Sequence, residues 1–197
     1  MFRTGGNEQN ITQFSAFNKI LKKGSIILLI DKRIKRYLDE VEERLISQSF
    51  SRLKGIPDDH IDFCFHKREF QLNHFGFNEI FFMFHIAPTD MKKGFLKEIS
   101  KRMFQYSLKK KLWIPRSMGD GVTLYSVFIM KRTPEYLSDF IRSYNPKHYA
   151  SFEYPIIVDI YNRKLHFFQG TPVWGMIYYR EMRENLLNTL NPEGWEF

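Results

Sequence analysis

The chain holds one cysteine, Cys64, in 197 residues. That scarcity excludes a disulfide framework, a four-cysteine zinc site and a CxxC redox centre, and it fits a reducing intracellular compartment, the cytoplasm first, better than secretion. Long apolar runs are missing too. The densest stretches, Ser25 to Ile30 and Ile80 to Ile86, fall short of the ~18 residues a spanning helix needs, so no transmembrane segment is expected. Met1 to Asn10 lacks the apolar core of a secretory signal and, with one Arg and one Glu, makes a poor transit peptide.

What is present describes a folded chain: 43% hydrophobic and 17% aromatic residues, long enough to bury most of its apolar surface unaided. The formal charge is +8, and it is unevenly spread. Residues 89 to 116 carry nine basic and two acidic side chains, while 57 to 88 are net acidic. A clustered positive field attracts phosphate backbones, whereas scattered charge only aids solubility. The partner expected from this pattern is therefore a polyanion.

Hydrophobic periods outline the elements. Residues 1–24 are polar with three glycines and read as a peripheral arm; Ser25 to Ile30 suits a buried strand. Ile34, Leu38, Val41 and Leu45 make the apolar stripe of a helix from Lys32 to about Ser49. Ile61, Phe63 and Phe65 alternate as a half-buried strand, and Asn78 to Ile86 is apolar enough for a central strand covered on both faces. A helix capped by Thr89 follows Pro88, with Phe95, Leu96, Ile99, Met103 and Tyr106 inward and Lys93, Lys97, Lys101 and Lys111 outward. Leu112 to Ile114 makes a short strand.

The second half repeats this order. Val122 to Met130 is a strand, and Thr133-Pro134 starts a helix to Tyr144. Ile156 to Ile160 and Lys164 to Phe168 form a hairpin, and Thr171-Pro172 opens a last helix carrying Trp174, Tyr178, Met182, Leu186 and Leu190. The expected fold is thus α+β: two ferredoxin-like β-α-β-β-α halves, 25–116 and 117–197, packed as one unit with helices on one face of antiparallel sheets. No RNP aromatic motif, GXXG clamp or glycine-rich loop of CRISPR RNA-processing endonucleases is found, so no family is assigned.

Several constellations could carry chemistry. Asp62, Cys64 and His66 share a strand face, but same-face neighbours stand roughly 7 Å apart, loose for a thiolate and its base. His60, His66, His74 and His85 lie beside Asp58, Asp59 and Asp62 without an HxH or HExxH spacing, so neither metal nor cofactor is expected. Pro57-Asp58 with Asp90-Met91-Lys92 formally matches a nuclease pattern, but its second part falls at a helix start; Asp159, Lys164 and Glu181 offer another acid and lysine set for metal-assisted cleavage. Ser117 to Gly121 reads as a tight turn rather than a phosphate loop. Trp113, Tyr106, Tyr125, Tyr178 and Tyr179 are candidate stacking rings near basic residues.

The leading expectation is a noncatalytic nucleic-acid-binding module, RNA preferred, or a component of a ribonucleoprotein assembly. Lys93, Lys97, Lys101, Arg102, Lys109, Lys110 and Lys111 would contact phosphates, with Lys32, Arg33, Lys35 and Arg36 as a second patch. The alternatives are a metal-dependent nuclease and a protein-interaction subunit.

Overall fold

The computed structural model of the chain describes residues 31–71, 76–111, 121–148, 151–170 and 176–191. The expected arm, the strand at Ser25 to Ile30, His74, Trp113, the boundary at 116/117, the turn at Ser117 to Asp120 and the Thr171-Pro172 cap lie outside these residues. The chain divides into two units, Met1–Arg36 and Tyr37–Phe197.

Of the first unit, the described part opens helix α1 (Lys32–Ser47). Asp31 starts it by accepting the Arg33 amide on its side chain and the Lys35 amide on its carbonyl.

The second unit continues α1 and carries β1 (Ser51–Arg52), β2 (Phe63–Gln71), β3 (Gly76–Ile86), α2 (Lys93–Lys110), β4 (Gly121–Met130), α3 (Glu135–Ser143), β5 (Lys147–His148), β6 (Ser151–Asp159), β7 (Lys164–Phe167) and α4 (Met176–Leu190). Seven strands form one open mixed sheet in the order β1-β2-β3-β4-β6-β5, with β7 also on β6. β2 and β3 are antiparallel, as are β6 and β7, the second pair matching the hairpin expected around Tyr161 to Arg163. The centre is different. β3, β4 and β6 are mutually parallel, with Phe81 opposite Leu124 and Leu124 opposite Glu153.

Parallel neighbours require crossovers, and α2 and α3 supply them. Two right-handed crossovers that step in the same direction put both helices on one face of the sheet. There Leu96, Ile99 and Met103 of α2 and Leu137 and Ile141 of α3 form one core with Phe81, Met83, Leu124, Phe128 and Ile157. The alternate residues point the other way. Phe82 stacks on Tyr125 at 4.3 Å, and the Tyr125 hydroxyl donates to the Met182 carbonyl of α4. α4 is held at its end by α1: the Tyr37 hydroxyl donates to the Leu190 carbonyl and Arg44 to the Thr189 carbonyl, satisfying groups a helix C-terminus otherwise leaves bare.

The sheet is therefore covered on both faces, not one, and its centre is not antiparallel. In the second half β4 and β6 are direct neighbours, which leaves no strand's width between them as a split ferredoxin-like unit would. The physical reason is burial. β3, β4 and β6 are nearly all buried along their length, the mark of strands sealed by helices on each side.

This packing ranks the core. Leu124→Ala removes a fully buried side chain between the sheet and α2, and is expected to cost about 2–5 kcal/mol. Ile46→Ala, on a side chain 57% exposed, should stay within about 0.5 kcal/mol. Urea unfolding monitored by circular dichroism checks both.

Candidate nucleic-acid interface

The basic stretch lies on α2, and the helix divides it. At about 100° per residue, Lys93, Lys97 and Lys101 span an arc of about 80° beside the buried stripe, while Lys109 and Arg102 lie about 80–100° further round. All five are exposed, as is Lys110. These cations thus form two rows, with Lys110 outside both. Arg102 is paired with Glu98 at 3.2 Å, Lys110 sits 5.7 Å from the Tyr106 ring, and Lys111 closes the helix through its amide to Ser107. Phe95, expected inside, is 43% exposed and lies edge-on to His60. Lys32, Arg33, Lys35 and Arg36 are all exposed on the opening turns of α1.

The first row meets a second feature that sequence reasoning missed. Tyr136, Phe140 and Tyr144 are four residues apart at and after α3, matching the four-residue spacing of Lys93, Lys97 and Lys101 on α2. The Lys93 ammonium lies 5.9 Å from the Tyr136 ring and 5.7 Å from Phe140; that of Lys97 lies 5.2 Å from Phe140 and 5.4 Å from Tyr144. These are cation–π distances. Phe140 and Tyr144 stack at 4.8 Å, and Tyr136 is 44% exposed. The result is a seam between two helices with cations on one bank and rings on the other. Each four-residue step advances about 6 Å. The signal was in the spacing, but only the topology shows that the two helices are neighbours.

Below the seam a polar cluster gathers around the buried Glu153. The Ser100 hydroxyl donates to Glu153 and shares a hydrogen bond with Ser126, and His148 Nε2 lies 2.6 Å from the other Glu153 oxygen. His148 also stacks on Phe104 at 3.6 Å. A serine-histidine-acid relay needs the imidazole between the hydroxyl and the carboxylate. Here the carboxylate stands in the middle and Ser100 is fully buried, so the cluster fastens α2 to β4 and β6. Burial, with the nearby Glu153 charge, pushes the Tyr144 phenol up to about 12.

The other candidates are taken up by the fold. Asp62, Cys64 and His66 do not form one set: Asp62 precedes β2, accepts the Ile86 amide and lies 3.5 Å from His85, while His66 meets the buried Glu79 at 2.5 Å. Burial pushes the Cys64 thiol up to about 12 although the Lys110 charge pulls it back, which disfavours the thiolate a nucleophile needs. His60 and His85 approach to 5.9 Å, while His66 is engaged elsewhere. Among the described residues no group of three His, Cys, Asp or Glu side chains is placed to hold a metal ion. Asp159 accepts the Thr133 and Asn162 amides and the Asn162 side chain, fixing the loops beyond β4 and β6. Of the rings singled out for stacking, Tyr106, Tyr125 and Tyr179 are buried, and the Tyr178 side chain and Trp113 lie outside the described residues. No described helix is long and apolar enough to cross a membrane.

Compared with protein-family models, curated proteins and solved structures, the chain matches none. The site is therefore read from its own geometry.

Cys64 gives a prediction with a sign. Its thiol titrates higher when folded than its ordinary 9.0, so the unfolded state loses its proton first and stability falls as pH rises from about 9 towards 12. Buried tyrosines such as Tyr144 add to the loss, but from a higher starting point. Cys64→Ala should delay the onset of alkaline destabilisation to the tyrosine range, measured as unfolding midpoints at a series of pH values. An unchanged onset contradicts the assignment.

Proposed function

We propose that this chain is a noncatalytic nucleic-acid-binding module, with single-stranded RNA the preferred partner, acting alone or within a ribonucleoprotein assembly in a reducing intracellular compartment. The observation that carries this reading is the α2–α3 seam, where Lys93 and Lys97 alternate with Tyr136, Phe140 and Tyr144. Single strands are held by cations that track phosphates beside rings on which bases stack, and sequence preference need not enter. Lys101 extends the row, and Arg102, Lys109, Lys110 and Lys111 add positive field from the same helix. Lys32, Arg33, Lys35 and Arg36 supply a second set of phosphate contacts. Against the nuclease alternative, Asp159 of its acid and lysine set already accepts the Thr133 and Asn162 amides.

A protein-assembly role has one observation in its favour. Phe70 and Phe77 are 53% and 39% exposed, lie edge to face at 5.3 Å, and carry Arg68 at 4.1 Å over the Phe77 ring. Self-association of the pure chain in size-exclusion chromatography, lost in Phe70→Ser, would favour that role.

Fluorescence anisotropy with a labelled uridine oligonucleotide tests the leading reading. Affinity should drop steeply with salt, and replacing Lys93, Lys97 and Lys101 by Ala should flatten the slope by about 0.7 per lost phosphate contact. Tyr136→Ala should weaken binding by about 1–3 kcal/mol with little change in slope. A dissociation constant indifferent to salt, or no binding at low salt, removes the proposal.

A further inference from the structure

On the sheet face opposite the seam, a cavity of about 420 Å³ opens between the sheet, the end of α1 and α4. That volume is within the usual range for small-molecule sites. Strand alternation explains its floor: Ile80, Phe82 and Tyr125 point to this face, while Phe81 and Leu124 point to α2. The walls bring Lys67 and Glu69 from β2 and Glu181, Asn185 and Asn188 from α4.

The charges within it are unbalanced. Lys67 is paired with Glu69 at 2.9 Å, and its ammonium lies 5.7 Å from the Phe50 ring, so the cavity already holds one cation between a carboxylate and an aromatic face. Among the described residues Glu181 has no comparable partner, neither a hydrogen bond nor an ion pair, and the same holds for the Asn188 side chain. Both Glu181 and Glu69 are close enough to Tyr125 to add to the effect of burial in raising its phenol, while its hydrogen bond with Asn185 opposes them. Both carboxylates line the same cavity. An anion would find no free cation there, since the lysine is taken. A cation would find one free carboxylate, an amide acceptor and aromatic edges.

We propose that this cavity binds a small organic cation with N–H donors, a primary amine or guanidinium compound, whose charge pairs with Glu181 and whose short apolar body lies against Phe50 and Phe82. Lys67 and Glu69 neutralise each other on the cavity wall and leave Glu181 as its uncompensated charge. The site is separate from the α2–α3 seam and does not depend on the nucleic-acid reading.

Isothermal titration calorimetry of the full chain with agmatine and putrescine tests it. Saturable one-to-one binding is expected, weakened about tenfold or more in Glu181→Gln. That substitution changes an exposed side chain without altering its volume, so an unchanged circular dichroism spectrum separates lost binding from lost folding. The Lys93, Lys97 and Lys101 alanine variant should bind the amines as the native chain does, and Glu181→Gln should bind RNA unchanged. No saturable heat at millimolar amine, equal affinity in Glu181→Gln, or preference for acetate over putrescine would each overturn the proposal. Tighter binding of a capped arginine peptide than of agmatine would also overturn it, by assigning the cavity to a protein side chain.

Discussion

Two consecutive parallel crossovers, β3-α2-β4 and β4-α3-β6, are the constraint from which the rest follows. A parallel strand cannot return by a tight turn, so each step forces a helix across the sheet, and two steps in one direction lay those helices side by side. Leu96, Ile99 and Met103 turn inward because only that face is dry. The lysines are then left along the flank, where α3 presents its rings. The seam is a by-product of the topology as much as of the residues.

The buried carboxylates show why polar residues on a strand are poor guides to chemistry. Glu79, Glu153 and Asp159 are each almost wholly enclosed, and each is satisfied: Glu79 by His66 and Arg68, Glu153 by Ser100 and His148, Asp159 by two amides and a side-chain amide. An acid removed from water without such partners would be strongly destabilising. Their histidine and serine neighbours resemble catalytic sets only in composition. In the fold they fasten one strand or helix to the next.

The order of elements was legible from periodicity, and most boundaries fell within a few residues. α1 begins at Lys32 as the stripe from Ile34 to Leu45 implies, and β3 and β4 end at Ile86 and Met130 as read. α2 starts later than its expected Thr89 cap, at Lys93, because residues 88–91 form a turn with the Met91 amide on the Pro88 carbonyl. Thr133 likewise does not cap α3; its amide goes to Asp159 and Pro134 takes the cap position. Strand pairing was not legible, since alternation says which way a side chain points and nothing about which strand lies beside it. One clue was available. The unbroken apolar character of Ile80 to Phe84 marks a strand buried on both faces, and such strands are usually parallel. The stacking rings were misplaced for a related reason: Tyr106 and Tyr125 belong to the core by period, whereas Tyr136 and Phe140 became conspicuous only once α2 was beside them.

Charge and topology together support the central proposal, that a single strand lies along the α2–α3 seam. Ultraviolet crosslinking of the chain to a uridine oligonucleotide, followed by mass spectrometry of the crosslinked peptides, tests it most directly. Crosslinks should concentrate on Tyr136, Phe140 and Tyr144 and disappear when Lys93 and Lys97 are both replaced by Glu. Crosslinks confined to Phe70 and Phe77, or none under conditions where the oligonucleotide binds, would contradict the account.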